Sequence, residues 1–321
     1  MMVRHSIIGL LALLLLAPGH AFATALQDQL GRQDQLGPIR ALDRRVATIG
    51  HRLAVANLDW CARTEWRHGM VLLELSDTNR SLRAEAVRLF GRDRGIGIMA
   101  LAAGGPAERA GLHGNDVILG LEGRTLPDGT TRADREARLA AFAAAFEDGH
   151  AAIEVLRGGA RLNVQLQGER GCMTIFQGVS RRSRNANADG VTVNINAGLI
   201  DYAQGEDELA SVMAHEFAHN VLRHRDRLNA AGRRTSSVRE TEIEADRLGV
   251  YLMARAGYDP QAAVRFWARF GPHPLNFLRS GDHPGWRDRI RSMEGEIARI
   301  RAAQAAGRQV EPGFVTLPLR D

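Results

Sequence analysis

The sequence predicts an α+β chain, with helices at both ends and a compact run of short strands set between them. Three observations carry this. Apolar residues recur at helical spacing from Pro38 to about Asn57 (Ile39, Leu42, Val46, Ile49, Leu53) and again in several stretches after Asp207. From Asp93 to Gly168 the pattern changes to short apolar runs punctuated by glycine. Hydrophobic residues make up 45% and charged residues 25% of 321, the balance of a folded chain long enough for two or three domains.

The order of elements starts with a targeting pattern. Arg4 and His5 precede an apolar run from Ile7 to Ala17, followed by Pro18-Gly19 and Ala21-Phe22-Ala23. This is the layout of a cleavable signal peptide over residues 1–23, and it predicts a periplasmic or secreted protein. The run is short for a bilayer span, so an uncleaved anchor is the lesser alternative. Two copies of Asp-Gln-Leu-Gly at 28–31 and 34–37 read as linker. Together with the helix after Pro38, a short strand at Val71 to Leu75 and a helix at Ser81 to Phe90, they make an N-terminal helical segment over 24–92.

Residues 93–168 form the second part. Gly95-Ile96-Gly97-Ile98-Met99 reads as a glycine-started strand, and Gly105-Pro106-Ala107-Glu108-Arg109-Ala110-Gly111-Leu112 as a short helix closed by glycine. Gly114-Asn115-Asp116-Val117-Ile118 leads into a strand, Arg132 to Phe146 is helical, and Arg157-Gly158-Gly159 joins a hairpin. The order resembles a PDZ domain of the kind found in bacterial envelope proteases, a small β-barrel. The resemblance implies that the backbone amides of Gly95, Ile96, Gly97 and Ile98 hold a peptide's C-terminal carboxylate, while the adjoining strand edge pairs with the peptide.

Residues 169–310 carry the chemistry, before a polar tail at 311–321. Val191 to Asn196 alternates as a half-buried strand, and helices are predicted from about Asp207 to Leu228, Ser237 to Ala256, Pro260 to Phe270 and Pro284 to about Ala305. Ser237 and Glu240 have capping-box spacing. Within the first helix, His215-Glu216-Phe217-Ala218-His219 places two imidazoles four apart on one face, where both can grip one metal ion. Glu216 stands beside them as a general base. A third histidine at the spacing of the long zinc motif is excluded, because position 225 is Arg225 and position 222 is Leu222. Glu242, on the following helix, is the predicted third ligand, and Asp246 one turn later accepts the N–H of a ligand histidine. Glu244 lies on another face.

These segments resemble the HtpX and CAAX-prenyl-protease type of gluzincin peptidase. The resemblance rests on Asp207-Glu208-Leu209-Ala210, His215 to Asn220, Glu242 to Gly249 and Ala256-Gly257-Tyr258-Asp259-Pro260. It implies a mostly helical metallopeptidase domain with a small strand element, one Zn2+ per chain on His215, His219 and Glu242, and hydrolysis of protein or peptide substrates with Glu216 as base. The extra transmembrane helices of the family's membrane members are absent. Asp282-His283-Pro284 and Arg289 resemble its His-Pro…Arg signature, which makes His283 and Arg289 candidates for stabilising an oxyanion.

Charge and cysteine usage bear on partners. The net charge is +5, but all 42 basic residues are Arg, and no dense basic run is interleaved with aromatics. Nucleic acid is therefore not an expected partner, whereas an anionic envelope membrane surface is. Cys61 and Cys172 flank the PDZ-like insertion, and an even count in an exported chain predicts a disulfide between them at its base.

Overall fold

The computed structural model describes residues 34–232, 234–272, 284–315 and 317. The expected signal segment and His283 lie outside the described residues. Helix α1 (Leu36–Ala56) is the amphipathic stretch, and it begins inside the second Asp-Gln-Leu-Gly copy. That copy is helical because Leu36 is buried with Leu75, Phe90, Met99 and Val117, while Glu85 accepts the amides of Gln35 and Leu36 at 3.0 and 3.3 Å. Further along, Val46, Ile49, Leu53 and Ala54 enter the core of the helical domain. Arg40 donates to the Met99 carbonyl at 2.9 Å, and Arg52 to the Ala256 carbonyl at 2.9 Å. One helix thus braces both halves of the molecule.

The PDZ-type module follows. Its elements are β1 (Thr64–Arg67), β2 (Met70–Glu74), α2 (Arg83–Phe90), β3 (Ile96–Leu101), α3 (Pro106–Arg109), β4 (Val117–Leu121), β5 (Arg124–Thr125), α4 (Arg132–Ala145), β6 (His150–Arg157), β7 (Ala160–Gln167) and β8 (Glu169–Cys172). The main sheet runs β2-β3-β4-β6-β7, with β5 paired to β4. Its first strand comes from upstream of Asp93, the expected start of the module. Ile98, Leu112, Ile153, Val155 and Leu166 fill its core. Helix α4 starts at a capping box in which Thr131 and Asp134 satisfy each other's amides. β1 and β8 pair antiparallel as a separate ribbon where the chain enters and leaves, with Thr64 opposite Cys172. The Cys61–Cys172 disulfide closes that neck, its Cα atoms 5.5 Å apart.

The sheet corrects one expectation. Gly95, Ile96, Gly97 and Ile98 do not form an open cup of amides, because β3 is paired on both sides. Ile96 faces Glu74 of β2 and Ile118 of β4, and the Ile98 amide donates to the Asp116 carbonyl at 2.8 Å. The Gly95 carbonyl accepts the Leu75 amide at 2.9 Å, and a Cβ on Gly97 would collide with the Phe90 ring. Among the described residues, the strand with an unpaired edge on this side is β2.

The helical domain contains β9 (Ile175–Val179), β10 (Ala186–Ala188), β11 (Thr192–Asn196), α5 (Ala197–Tyr202), α6 (Glu206–Val221), α7 (His224–Ala231), α8 (Thr235–Arg255), α9 (Gln261–Phe270) and α10 (Trp286–Ala305). Its sheet runs β10-β11-β9. The single helix predicted over Asp207 to Leu228 breaks after Val221, where Arg223 takes a left-handed φ of 53° and turns the chain into α7. Helix α8 begins at Thr235, so Ser237 and Glu240 lie inside it instead of capping it. No helix among the described residues is long and apolar enough to cross a membrane.

Candidate metal centre and groove

Helix α6 is the centre of its domain. Leu209, Ala210, Met213, Ala214, Phe217 and Ala218 are buried on it, so its apolar surface is packed on several sides. Glu206, Asp207 and Glu208 sit in its first turn, where carboxylates complement the helix dipole, and Arg269 of α9 pairs with Glu208 at 2.6 Å. Helix α8 lies close against it at Gly249, where a Cβ would meet the His215 backbone nitrogen at 3.3 Å. That close approach brings Glu242 across to the two histidines.

The three ligand atoms converge. His215 Nε2 lies 3.3 Å from His219 Nε2 and 3.5 Å from Glu242 Oε2, and His219 Nε2 lies 3.4 Å from Glu242 Oε1. Donors about 2.0–2.2 Å from one tetrahedral ion stand about 3.3–3.5 Å from one another, so two imidazoles and a carboxylate at these spacings fit zinc. Burial opposes charge on His215, yet its hydrogen bonds to Asp246 and Glu242 outweigh it and push the imidazole up to about 10. His219 is pushed down to about 3 by burial and by its neighbour's charge. The surrounding carboxylates favour one positive charge at this point.

Behind the ligands, His215 Nδ1–H donates to Asp246 Oδ1 at 3.1 Å, so the nitrogen turned toward Glu242 is Nε2, the one that would bind a metal once its proton is lost. Arg289 of α10 holds Asp246 by two bonds and stacks on Trp267, its guanidinium carbon 3.8 Å from the ring centroid. Burial opposes charge on Asp246, but Arg289 and His215 outweigh it and keep the carboxyl below its ordinary range. Arg289 is 1% exposed and does not line the groove, which corrects its expected role at the oxyanion: both of its bonded nitrogens are committed to Asp246. It is a positioning residue.

A groove of about 730 Å³ opens over the centre, with His215, Glu216, His219 and Glu242 in its lining. Leu199, Val212, Leu228, Val238, Phe266 and Phe270 make much of it apolar. One wall is β10 with Asp189 and Gly190. Asn220 fixes that wall by accepting the Gly190 amide at 2.8 Å.

Two residues in this region were given no role from sequence. Asn220 follows the metal motif directly, and its adjacency was the available signal. His224 is buried with its Nδ1 2.9 Å from Nδ1 of His219, and its Nε2 is 3.0 Å from Glu244. Its spacing of five from His219 belongs to no helix face, so periodicity could not reveal it.

Compared with known families, residues 163–238 and 227–297 match Peptidase family M48. The mitochondrial metalloendopeptidase OMA1 of Schizosaccharomyces pombe is 31% identical over 137 residues, covering 33% of this chain and 41% of that protein. The beta-barrel assembly-enhancing protease of Escherichia coli K12 is 26% identical over 156 residues, covering 35% and 32%. The chain thus spans well under half the length of these relatives. A crystal structure of the HtrA3 PDZ domain with a phage-derived ligand aligns over 34% of this chain and 89% of that one, at 22% identity and a TM-score of 0.26. The family match falls on the segment that holds the histidine–glutamate cluster, and residues 163–297 of the chain are similar to peptidase family M48.

Proposed function

We propose that the protein is an exported, zinc-dependent metalloendopeptidase that cleaves unfolded or exposed segments of envelope proteins. The observation that carries this is the tetrahedral spacing of His215, His219 and Glu242, with Glu216 beside them at the floor of an open groove. Zinc bound there supplies Lewis acidity to the scissile carbonyl and acidifies the attacking water. Glu216 takes the water's proton and delivers it to the departing amine. Asp246 and Arg289 keep His215 in register. The outer edge of β10, unpaired among the described residues, is the wall on which an extended substrate backbone adds as a further strand. The strand at Val191 to Asn196 has both edges occupied, by β9 and β10, and so cannot take this part. The apolar lining accepts a hydrophobic substrate side chain.

The PDZ-type module is assigned capture of a chain end, with the edge of β2 in place of the residues of β3. Export is supported by the N-terminal pattern and by a disulfide, which persists in oxidising compartments. Dispersed arginines suit an anionic membrane surface as a neighbour. Trapping with zinc-loaded Glu216→Gln protein in envelope extract tests the substrate class. Recovery of unfolded envelope polypeptides is the expected result, and recovery of none above the level of the metal-free protein would overturn it.

A further inference from the structure

We infer that His224, anchored by Glu244 and Arg227, is a positioning residue that sets the tautomer of His219 and so presents its Nε2 to the metal. This rests on the metal reading above and goes beyond it. His219 Nδ1 and His224 Nδ1 are 2.9 Å apart, so one of them must donate a proton to the other. The far side of His224 decides which. Its Nε2 is 3.0 Å from Glu244 Oε2, a carboxylate that only accepts, so Nε2 carries a proton, and a ring holding that single proton offers its lone pair at Nδ1. His219 therefore donates from Nδ1, and its Nε2 lone pair faces His215 and Glu242. The opposite arrangement would put a proton on His219 Nε2, where a cation belongs.

Glu244 is itself held. Arg227, one turn into α7, donates to Glu244 Oε2 at 2.6 Å. His224 is 1% exposed, so water does not replace it as the partner of His219. The break at Arg223 makes the arrangement possible, because it turns the first residue of α7 back under the end of α6. His215 is served by Asp246, His219 by His224. The two ligand histidines thus have separate supports, both reaching helix α8.

The test uses the full zinc-loaded chain with histidine ring nitrogens labelled, and reads tautomers by NMR. Wild type is expected to show His219 protonated at Nδ1 and His224 neutral and protonated at Nε2. A proton on His224 Nδ1 would overturn the inference without any variant. Zinc affinity against a competing chelator is the second readout. His224→Leu is expected to lose about tenfold or more, whereas His224→Asn, with an acceptor oxygen where Nδ1 stood, is expected to stay within about threefold. Equal losses in both variants, or no loss in His224→Leu, would overturn it. Absence of zinc from wild type would instead defeat the metal reading itself, so the two failures are distinguishable.

Discussion

Arg289 grips Asp246 through two parallel bonds, Nε to Oδ2 at 2.6 Å and Nη2 to Oδ1 at 2.7 Å, and both side chains are buried. The pair fixes the carboxylate that orients His215. Asp246→Asn keeps the shape and removes the charge, and is predicted to weaken zinc binding by about 10–100-fold. Arg289→Met leaves Asp246 and Glu242 without their buried counter-charge and is predicted to destabilise by about 3–5 kcal/mol in urea unfolding. Unchanged zinc affinity in the first variant would show that Asp246 does not support the centre.

Gly97 faces the Phe90 ring with no room for a Cβ. Gly97→Val is predicted to destabilise the chain by about 1–3 kcal/mol through overpacking, with zinc content unchanged. Normal stability combined with lost peptide binding would restore the reading in which the β3 amides hold a carboxylate.

The Cys61–Cys172 bond closes a loop of 111 residues. Replacing both cysteines by serine is predicted to cost about 4–5 kcal/mol of stability on the chain-entropy account. Thiol titration of the unfolded, unreduced protein is predicted to find none free. Two thiols per chain would contradict the bond.

Asp43 of α1 has its carboxyl pushed up to about 6 by burial, from an ordinary 3.8. An acid whose folded-state pKa is raised is easier to keep protonated in the folded chain. Its stabilising effect is therefore full below the ordinary value and lost as pH rises to about 6. Asp43→Asn is predicted to raise the melting temperature by roughly 2–5 °C at pH 7.5 and to leave it unchanged near pH 4. An equal shift at both pH values would show that ionisation is not the cause.

Much of the arrangement was legible where a local rule governs it. Helical periodicity located α1 and α10 to within a few residues, and the spacing of four placed His215 and His219 on one face. Glu242 could be located because two successive helices with a short connection must pack together. Strand pairing is a different matter. Nothing local in Gly95 to Ile98 says that β2 and β4 flank it, or that the edge left unpaired among the described residues belongs to the upstream strand from Met70 to Glu74. Contacts across a helix break were equally hidden. The pairing of His224 with His219 depends on the left-handed turn at Arg223, which no residue preference announces, since arginine rarely adopts it. The role of Arg289 failed for a third reason: sequence shows a cation near the site but not which carboxylate claims it.

The central claim is that zinc on His215, His219 and Glu242 and the base Glu216 together hydrolyse a peptide bond. The most direct measurement is the cleavage rate of an unfolded protein by zinc-loaded Glu216→Gln, with bound zinc determined on the same sample. About one zinc per chain is predicted, as in wild type, with a rate about 10²–10⁴-fold lower, because a base is lost and no ligand is. Wild-type cleavage by the zinc-loaded variant would contradict it.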